Sequence, residues 1–460
     1  MTVQPVARRG GNTIDSDTIP IVFVPGVMGS RLHFPSINCY WDPDHTITRM
    51  THWLTSSAER VRREFALSNP AVVMTVGDDL DAQQRERGWA GVAWDFYGSL
   101  LEHLSEQRYG GYHTPVYAIG YDWRQSNNDS GDAICRRLEE ILAAEQAERF
   151  ILLTHSMGGL ASRAGLHRNP AVAAKLAGVC HIAQPVTGAA IAVRRMFTGA
   201  TYGSDGVAMM LLLGNNRKKY QTICSAMPGP MQLLATQDFT DTDGGWWYSY
   251  ETFERPGIER DFAGQCWELY ARPQSPPGLL AAADSRYAIA PVPRREFSRR
   301  VNEARAFHLA LGLWKHAETW SFYGTGNECD TSLYFELPPV EAELSLLSTA
   351  LHSLNPFSED VRYKAKRADG SEVSIGASEV DPADRGCAVR RTNDSDGTVP
   401  LSSGKALFPT QAYDYREGTE YDLTTQRQFF TSGGEQHDQI CKDTVCLAFV
   451  DELITHLVGT

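Results

Sequence analysis

The sequence predicts an α/β fold: a mostly parallel central sheet with helices on both faces, interrupted by a large, mainly helical cap insertion. Three features predict it. Short apolar, β-branched runs alternate with helical periodicity over residues 21–183, the pattern of strands joined by crossover helices. The alternation stops over residues 187–319, which are helical in pattern and rich in Gly, Pro and Trp, and strand character returns at Trp320-Ser321-Phe322-Tyr323. The run Phe150-Ile151-Leu152-Leu153 leads into Thr154-His155-Ser156-Met157-Gly158-Gly159, a serine set between a strand and a helix start.

The elements follow in order. Ile21-Val22-Phe23-Val24 is an apolar run closed by Pro25-Gly26 and reads as a buried strand. Residues 92–107 have helical spacing, with Phe96, Leu100, Leu101 and Leu104 on one face. Residues 114–119 read as a strand. Residues 130–147 read as a helix, with Ser130 as its cap and Ile134, Leu138, Ile141 and Leu142 facing inward. After the strand at 150–153, a sharp turn leads into a helix at 158–168, and 177–183 is the next strand. Beyond the cap, strands are expected at 320–323, near 387–391 and at 427–430, and a last helix at 443–457. The domain reading is a core of residues 1–186 with a lid at about 35–60, a cap at 187–319, and a returning core at 320–460.

With 460 residues, 42% hydrophobic and 22% charged, the chain has material for a large core and is not of disordered composition. Its net charge of −13 speaks against a nucleic-acid partner, whose phosphates need clustered Lys and Arg. It also weakens electrostatic docking on anionic lipid. Residues 1–20 are polar, without the apolar stretch or small-residue cleavage site of a secretory leader. No run reaches the roughly 18 apolar residues of a membrane span. The default expectation is a cytoplasmic protein, with secretion by a non-classical route left open. The nine cysteines include no C-x-x-C pair, so no zinc site is expected, and their odd number leaves at least one outside any pairing within the chain. Cys135 and Cys180 fall in core patterns; the others lie where bridges could form.

A serine on a strand-to-helix turn is the nucleophile elbow of the α/β-hydrolase fold. The turn is strained, so the residues packed against it must be small, and Gly158 and Gly159 meet that need. The geometry aims Oγ at a helix N-terminus, where unpaired N–H groups favour an oxyanion. Thr154 departs from the first glycine of the G-x-S-x-G pattern. The second oxyanion donor should come from the loop after an early strand, here Pro25-Gly26-Val27-Met28-Gly29-Ser30. The donors would be the backbone N–H groups of Met28 and Met157.

Chain order in this fold is Ser, then acid, then His. Among the late histidines, His437 lies in a loop just past the strand ending at Phe430, which is what the fold asks of its base. His456 lies within the apolar pattern of the last helix, and His352 is the least favoured. The acid should follow a strand between cap and base. Asn393-Asp394-Ser395-Asp396-Gly397-Thr398-Val399-Pro400 offers two carboxylates there, and a turn alone would account for both. Asp396, followed by glycine and a short apolar pair, is the preferred one, in part on the family resemblance given below. It would fix the imidazole tautomer and stabilise the imidazolium.

These motifs together resemble the lecithin:cholesterol acyltransferase family, which includes lysosomal phospholipase A and the phospholipid:diacylglycerol acyltransferases. Val24-Pro25-Gly26-Val27-Met28-Gly29-Ser30-Arg31-Leu32 resembles the family's oxyanion loop, Tyr121-Asp122-Trp123-Arg124 its YDWR segment, and His155-Ser156-Met157-Gly158-Gly159 its nucleophile. Phe322-Tyr323-Gly324-Thr325-Gly326 resembles the strand and turn before its acid, and Asp396-Gly397-Thr398-Val399-Pro400 matches its acid motif. The resemblance implies a lid tryptophan that touches an acyl chain, for which Trp41 and Trp53 are the candidates, and a substrate contact for Arg124, weighed against a structural salt bridge. The family's lid disulfide lacks a partner for Cys39. Gln184-Pro185-Val186-Thr187-Gly188 stands where many lipases carry Thr-Pro-His-x-Gly.

The expected chemistry is acyl transfer through a covalent acyl-enzyme on Ser156, with Asp396 and His437 completing the triad and no metal or organic cofactor. The base must be neutral to accept the serine proton, so activity is expected to rise with pH as it deprotonates. The expected partner is a lipid or other ester, with transient contact at a lipid interface. One rival is an esterase for a non-lipid ester or a macrolide-type lactone. Another is a catalytically silent binding protein on the same fold. Oligomeric state is not set by the sequence.

Overall fold

The computed structural model describes residues 17–45, 49–76, 79–200, 213–214, 217–240, 247–252, 255–260, 266–271, 294–335, 362–366, 372–376, 387–392, 394–408 and 411–459. His352 lies outside them. Seven strands build the central sheet: β1 (Ile21–Val24), β2 (Val116–Ala118), β3 (Phe150–His155), β4 (Leu176–Ile182), β5 (Thr319–Gly324), β6 (Tyr413–Asp414) and β7 (Gln428–Thr431). Their order is β6-β7-β5-β4-β3-β1-β2, and every neighbouring pair is parallel. The principal helices are α1 (Trp94–Glu106), α2 (Asn127–Glu145), α3 (Met157–Arg168), α4 (Arg294–Leu311) and α5 (Thr444–Gly459).

The sheet is covered on both sides, which is why its strands read as continuous apolar runs rather than as alternation. In β1, Val22 and Val24 join a core that includes Ile134 and Leu138 of α2 and Leu160 of α3. Ile21 and Phe23 point the other way, into a core with Leu100 and Leu104 of α1 and Phe449 and Leu453 of α5. The chain runs from β1 out to β2, then returns past β1 to β3 and continues the other way. The crevice at the carboxyl ends of β1 and β3 is therefore a topological switch point, where open α/β sheets bind their ligands. Both the loop at Pro25 and Ser156 emerge there, because Val24 lies beside Thr154 in register.

Several boundaries move for identifiable reasons. α2 begins at Asn127, not Ser130, and its cap is Ser126. The Asn-rich first turn is held by tertiary contact, since the Asn127 backbone N–H and side-chain amide both donate to Gln232 Oε1. α1 takes its N-terminal acceptor from far away: Asp44 accepts from the backbone N–H groups of Trp94 and Asp95 at 2.7 and 2.9 Å. Its inward face is Tyr97, Leu100, Leu101 and Leu104, with Phe96 only half-buried.

The insertion is not purely helical. Tyr248–Thr252 and Arg255–Arg260 are strands, and they form a second sheet with Cys329–Phe335 and Cys387–Thr392. The strand expected near 387–391 therefore exists but lies outside the central sheet, paired antiparallel with Cys329–Phe335. A buried ion pair, Arg194 to Asp330 at 2.5 Å, ties the helix Ala190–Thr198 to this second sheet. The eight cysteines with described side chains are all free, Cys135 and Cys180 among the buried ones. No described helix is long and apolar enough to cross a membrane.

Candidate active site

Ser156 stands at the end of β3 with φ 52° and ψ −127°, immediately before the first turn of α3. Such a conformation costs a non-glycine residue about 1–3 kcal/mol and persists only where packing over-determines it. The surroundings do so. A Cβ on Gly158 would lie 2.3 Å from the Pro25 carbonyl oxygen, and one on Gly26 would lie 2.9 Å from Ser156 Cβ. Nucleophile turn and Pro25 loop are thus pressed together at backbone distance. Thr154, the departure from glycine, is fully buried and pairs its hydroxyl with His181 Nδ1 at 2.8 Å. The extra side chain is accommodated by a partner on β4.

The structure brings Ser156, His437 and Asp396 together. His437 Nε2 is 2.8 Å from Ser156 Oγ, and His437 Nδ1 is 2.7 Å from Asp396 Oδ2. Asp396 is 1% exposed, and its Oδ1 accepts from the backbone N–H groups of Thr398 and Val399 at 3.0 and 2.8 Å. The His437 N–H also donates to the Asp396 carbonyl at 2.8 Å. Asn327, just past β5, clamps the two loops by donating through Nδ2 to the carbonyls of Gly434 and Glu435. A Cβ on Gly324 would crowd both Asp396 and Glu435, at 3.2 Å each, which is why the strand before the acid ends in glycine. The alternative acid, Asp394, is exposed. The alternative base, His456, is half-buried in α5 against the edge of Trp320.

Met28 and Met157, the expected oxyanion donors, lie on the two segments that meet at Ser156, where a Cβ on Gly26 would touch Ser156 Cβ. Met157 opens α3, and Met28 sits in the Gly26–Gly29 turn with φ 63°. Among the described residues neither N–H makes a hydrogen bond. The three residues read as substrate contacts sit otherwise. Trp41 and Trp53 are buried, in a cluster with Phe34, Phe65 and Trp123. Trp41 Nε1 donates to the Met28 carbonyl at 2.9 Å, so this indole is tied to the loop of Met28. Arg124 is fully buried, paired with Asp122 at 2.7 Å and donating to the carbonyls of Phe65, Ala66 and Asn69. Its guanidinium is committed to Asp122 through Nε and Nη2 and to the backbone of residues 65–69 through Nη1.

Two residues went unassigned in the sequence and belong to the site. His155 donates to the His437 carbonyl from Nε2 at 2.9 Å and faces Tyr97 Oη with Nδ1 at 3.0 Å. Tyr97 in turn accepts from the Gly26 N–H at 3.1 Å. Tyr97 was legible in principle, because 97, 100, 101 and 104 complete the i, i+3, i+4, i+7 face of α1.

Three buried histidines carry a stability prediction. Burial, followed by the neighbouring His437, holds His155 well below its ordinary value of 6.5. Burial, reinforced by Arg163, lowers His181 to about 3. Burial above all lowers His308 to about 4. The unfolded chain takes these protons near 6.5 and the folded chain does not, so the contribution is complete above that value and is lost as pH falls below it. Three such groups give a slope of up to about 4 kcal/mol per pH unit. Urea unfolding between pH 6.5 and 5 should show falling stability, and a flat midpoint across that range would refute the account.

Residues 89–256 match the family described as lecithin:cholesterol acyltransferase, a span that includes Ser156 and Met157 but neither Asp396 nor His437. Among curated proteins none matches the chain significantly in sequence. In the crystal structure of the Tle4–Tli4 complex, a chain matches with a TM-score of 0.67 at 18% identity, over 97% of this chain and 99% of that one. The mature Bacillus licheniformis lipase BlEst2 is matched over 97% of this chain and 96% of that one, at 12% identity and a TM-score of 0.31. The family match supports an ester hydrolase or acyltransferase. With its central sheet of seven parallel strands clad by helices, the chain has the α/β-hydrolase fold, and over residues 89–256 it is similar to the lecithin:cholesterol acyltransferase family.

Proposed function

We propose that the protein is a serine carboxylic-ester hydrolase or O-acyltransferase acting on lipid esters. The observation that carries this is His437, within 2.8 Å of Ser156 Oγ on one side and 2.7 Å of a buried carboxylate on the other. Ser156 Oγ attacks the ester carbonyl carbon as its proton passes to His437 Nε2. The N–H groups of Met28 and Met157 receive the negative charge on the carbonyl oxygen. Collapse breaks the carbonyl-to-alkoxy bond, and His437 returns the proton to the leaving alcohol. Water, or a second alcohol, then adds to the acyl-enzyme by the same steps in reverse, and Ser156 is regenerated.

The lipid assignment draws on the match over residues 89–256 and on the resemblance in the oxyanion loop. It has a direct test. A fluorophosphonate should label the protein at one position, and peptide mass spectrometry should find it on Ser156. Against a series of p-nitrophenyl esters, kcat/KM should rise from acetate to decanoate, since each buried methylene adds about 0.8 kcal/mol of apolar transfer energy. Labelling elsewhere would remove the serine assignment. A preference for acetate would remove the lipid assignment and favour a small ester or lactone.

A further inference from the structure

The hydrogen bonds around His155 have one self-consistent direction. The His437 carbonyl can only accept, so His155 Nε2 must carry the proton in that 2.9 Å contact. In a neutral imidazole Nδ1 is then an acceptor, and the Tyr97 hydroxyl 3.0 Å away must donate to it. The Tyr97 oxygen keeps a lone pair for the Gly26 N–H at 3.1 Å. The result is a single chain, Gly26 N–H to Tyr97 O–H to His155 to the His437 carbonyl. Tyr97 and His155 are 3% and 4% exposed, so water does not replace these partners. Glycine is required at both ends of the turn that wraps the hydroxyl: a Cβ on Gly29 would lie 2.6 Å from Tyr97 Oη, and one on Gly26 would lie 3.1 Å from His155 Nδ1. The chain therefore begins in the loop of Met28 and ends on the backbone of the base.

We propose that His155, anchored by Tyr97, is a positioning residue that couples the oxyanion loop to His437, so that oxyanion donor and proton acceptor are set by one continuous hydrogen-bond chain. The inference rests on the proposed roles of Ser156 and His437. His155 touches neither substrate nor the reacting serine hydroxyl; it acts through the backbone it holds. The tilted stacking of the two imidazoles, with centroids 4.8 Å apart, adds a second restraint on the His437 ring.

Tyr97→Phe removes the hydroxyl and keeps the ring. It should lower kcat per titratable site by about 10- to 100-fold with KM changed less than threefold, the cost of a small misplacement of reacting groups. His155→Gln keeps a donor toward the His437 carbonyl, and His155→Asn keeps an acceptor toward Tyr97. Each should retain more activity than His155→Phe, which loses both ends. Rates are to be normalised by fluorophosphonate titration of active sites, and thermal unfolding measured alongside. A merely structural role would lower Tm and the titre but leave the rate per site unchanged. Wild-type turnover per site in Tyr97→Phe would overturn the proposal, and this variant decides the matter if His155→Phe does not fold. His437→Ala separates the two readings. If it is inactive while Tyr97→Phe and His155→Phe turn over normally, the coupling alone is wrong. If it remains active, the assignment of the base falls, and the coupling with it.

Discussion

Ser156→Ala should lower kcat for a p-nitrophenyl ester by about 10⁴- to 10⁶-fold, the range found when a nucleophile is removed from a triad that acts as a unit. The fold should survive. Ser156 contributes to its surroundings through the backbone: its N–H donates to the Ile182 carbonyl and its own carbonyl accepts from Gly159. Among the described residues Oγ has one partner, His437 Nε2 at 2.8 Å, and the His437 side chain is 15% exposed, so water can take the vacated place. Alanine also bears the positive φ no worse than serine, because both carry a Cβ. Unfolding should therefore stay within a few degrees of the wild type while turnover disappears. Turnover within tenfold of wild type, at an unchanged Tm, would remove Ser156 from the mechanism.

What was legible in the sequence follows a physical division. Strands β1, β3 and β4 were readable because burial on both faces makes them short continuous apolar runs bounded by turn residues. Ser156, Asp396 and His437 could be named because loop position and chain order leave few candidates for each, and the structure sets the three side chains in hydrogen-bond series. Orientation was not readable. Nothing in Cys39-Tyr40-Trp41 says whether the indole faces a ligand or packs inward, and the structure turns it onto Phe65, Trp123 and the Met28 carbonyl. Arg124 makes the structural salt bridge weighed for it, to Asp122, but its further partners are backbone carbonyls 55 to 59 residues away, which no local pattern encodes. The second sheet escaped for a related reason: its strands come from segments up to 139 residues apart, Tyr248 pairing through Cys329–Phe335 to Cys387. The start of α2 shows the same override on a small scale. Local propensity favoured Ser130 as cap, and Gln232 of a distant segment satisfies the earlier turn instead.

Asp396→Asn tests the hydrogen-bond logic of the base without disturbing its placement. The aspartate Oδ1 accepts from two backbone N–H groups, of Thr398 and Val399, and Oδ2 accepts from His437 Nδ1. An asparagine must keep its oxygen toward the two N–H donors, because turning the amide would set NH2 against both of them. Its NH2 then faces His437 Nδ1, which is forced to accept, and the imidazole proton moves to Nε2. That proton points at Ser156 Oγ, where an acceptor is needed. The base is present and correctly placed, since the His437 N–H still donates to the residue-396 carbonyl, but it is in the wrong tautomer. A loss of about 10⁴ in kcat is expected, as in other triads where the acid is replaced by its amide. The loss should fall on kcat rather than KM, and the slow reaction of Ser156 with a fluorophosphonate should show the same factor. Asp396→Ala provides the contrast. It removes the orienting group without imposing a tautomer, so His437 can still present Nε2 as an acceptor part of the time. If the tautomer is the cause, the alanine variant should be no slower than the asparagine one, despite losing all three of the carboxylate's hydrogen bonds. An asparagine variant much faster than the alanine variant would show instead that Asp396 acts mainly by holding the loop of Thr398 and Val399, and the role assigned to it would have to change.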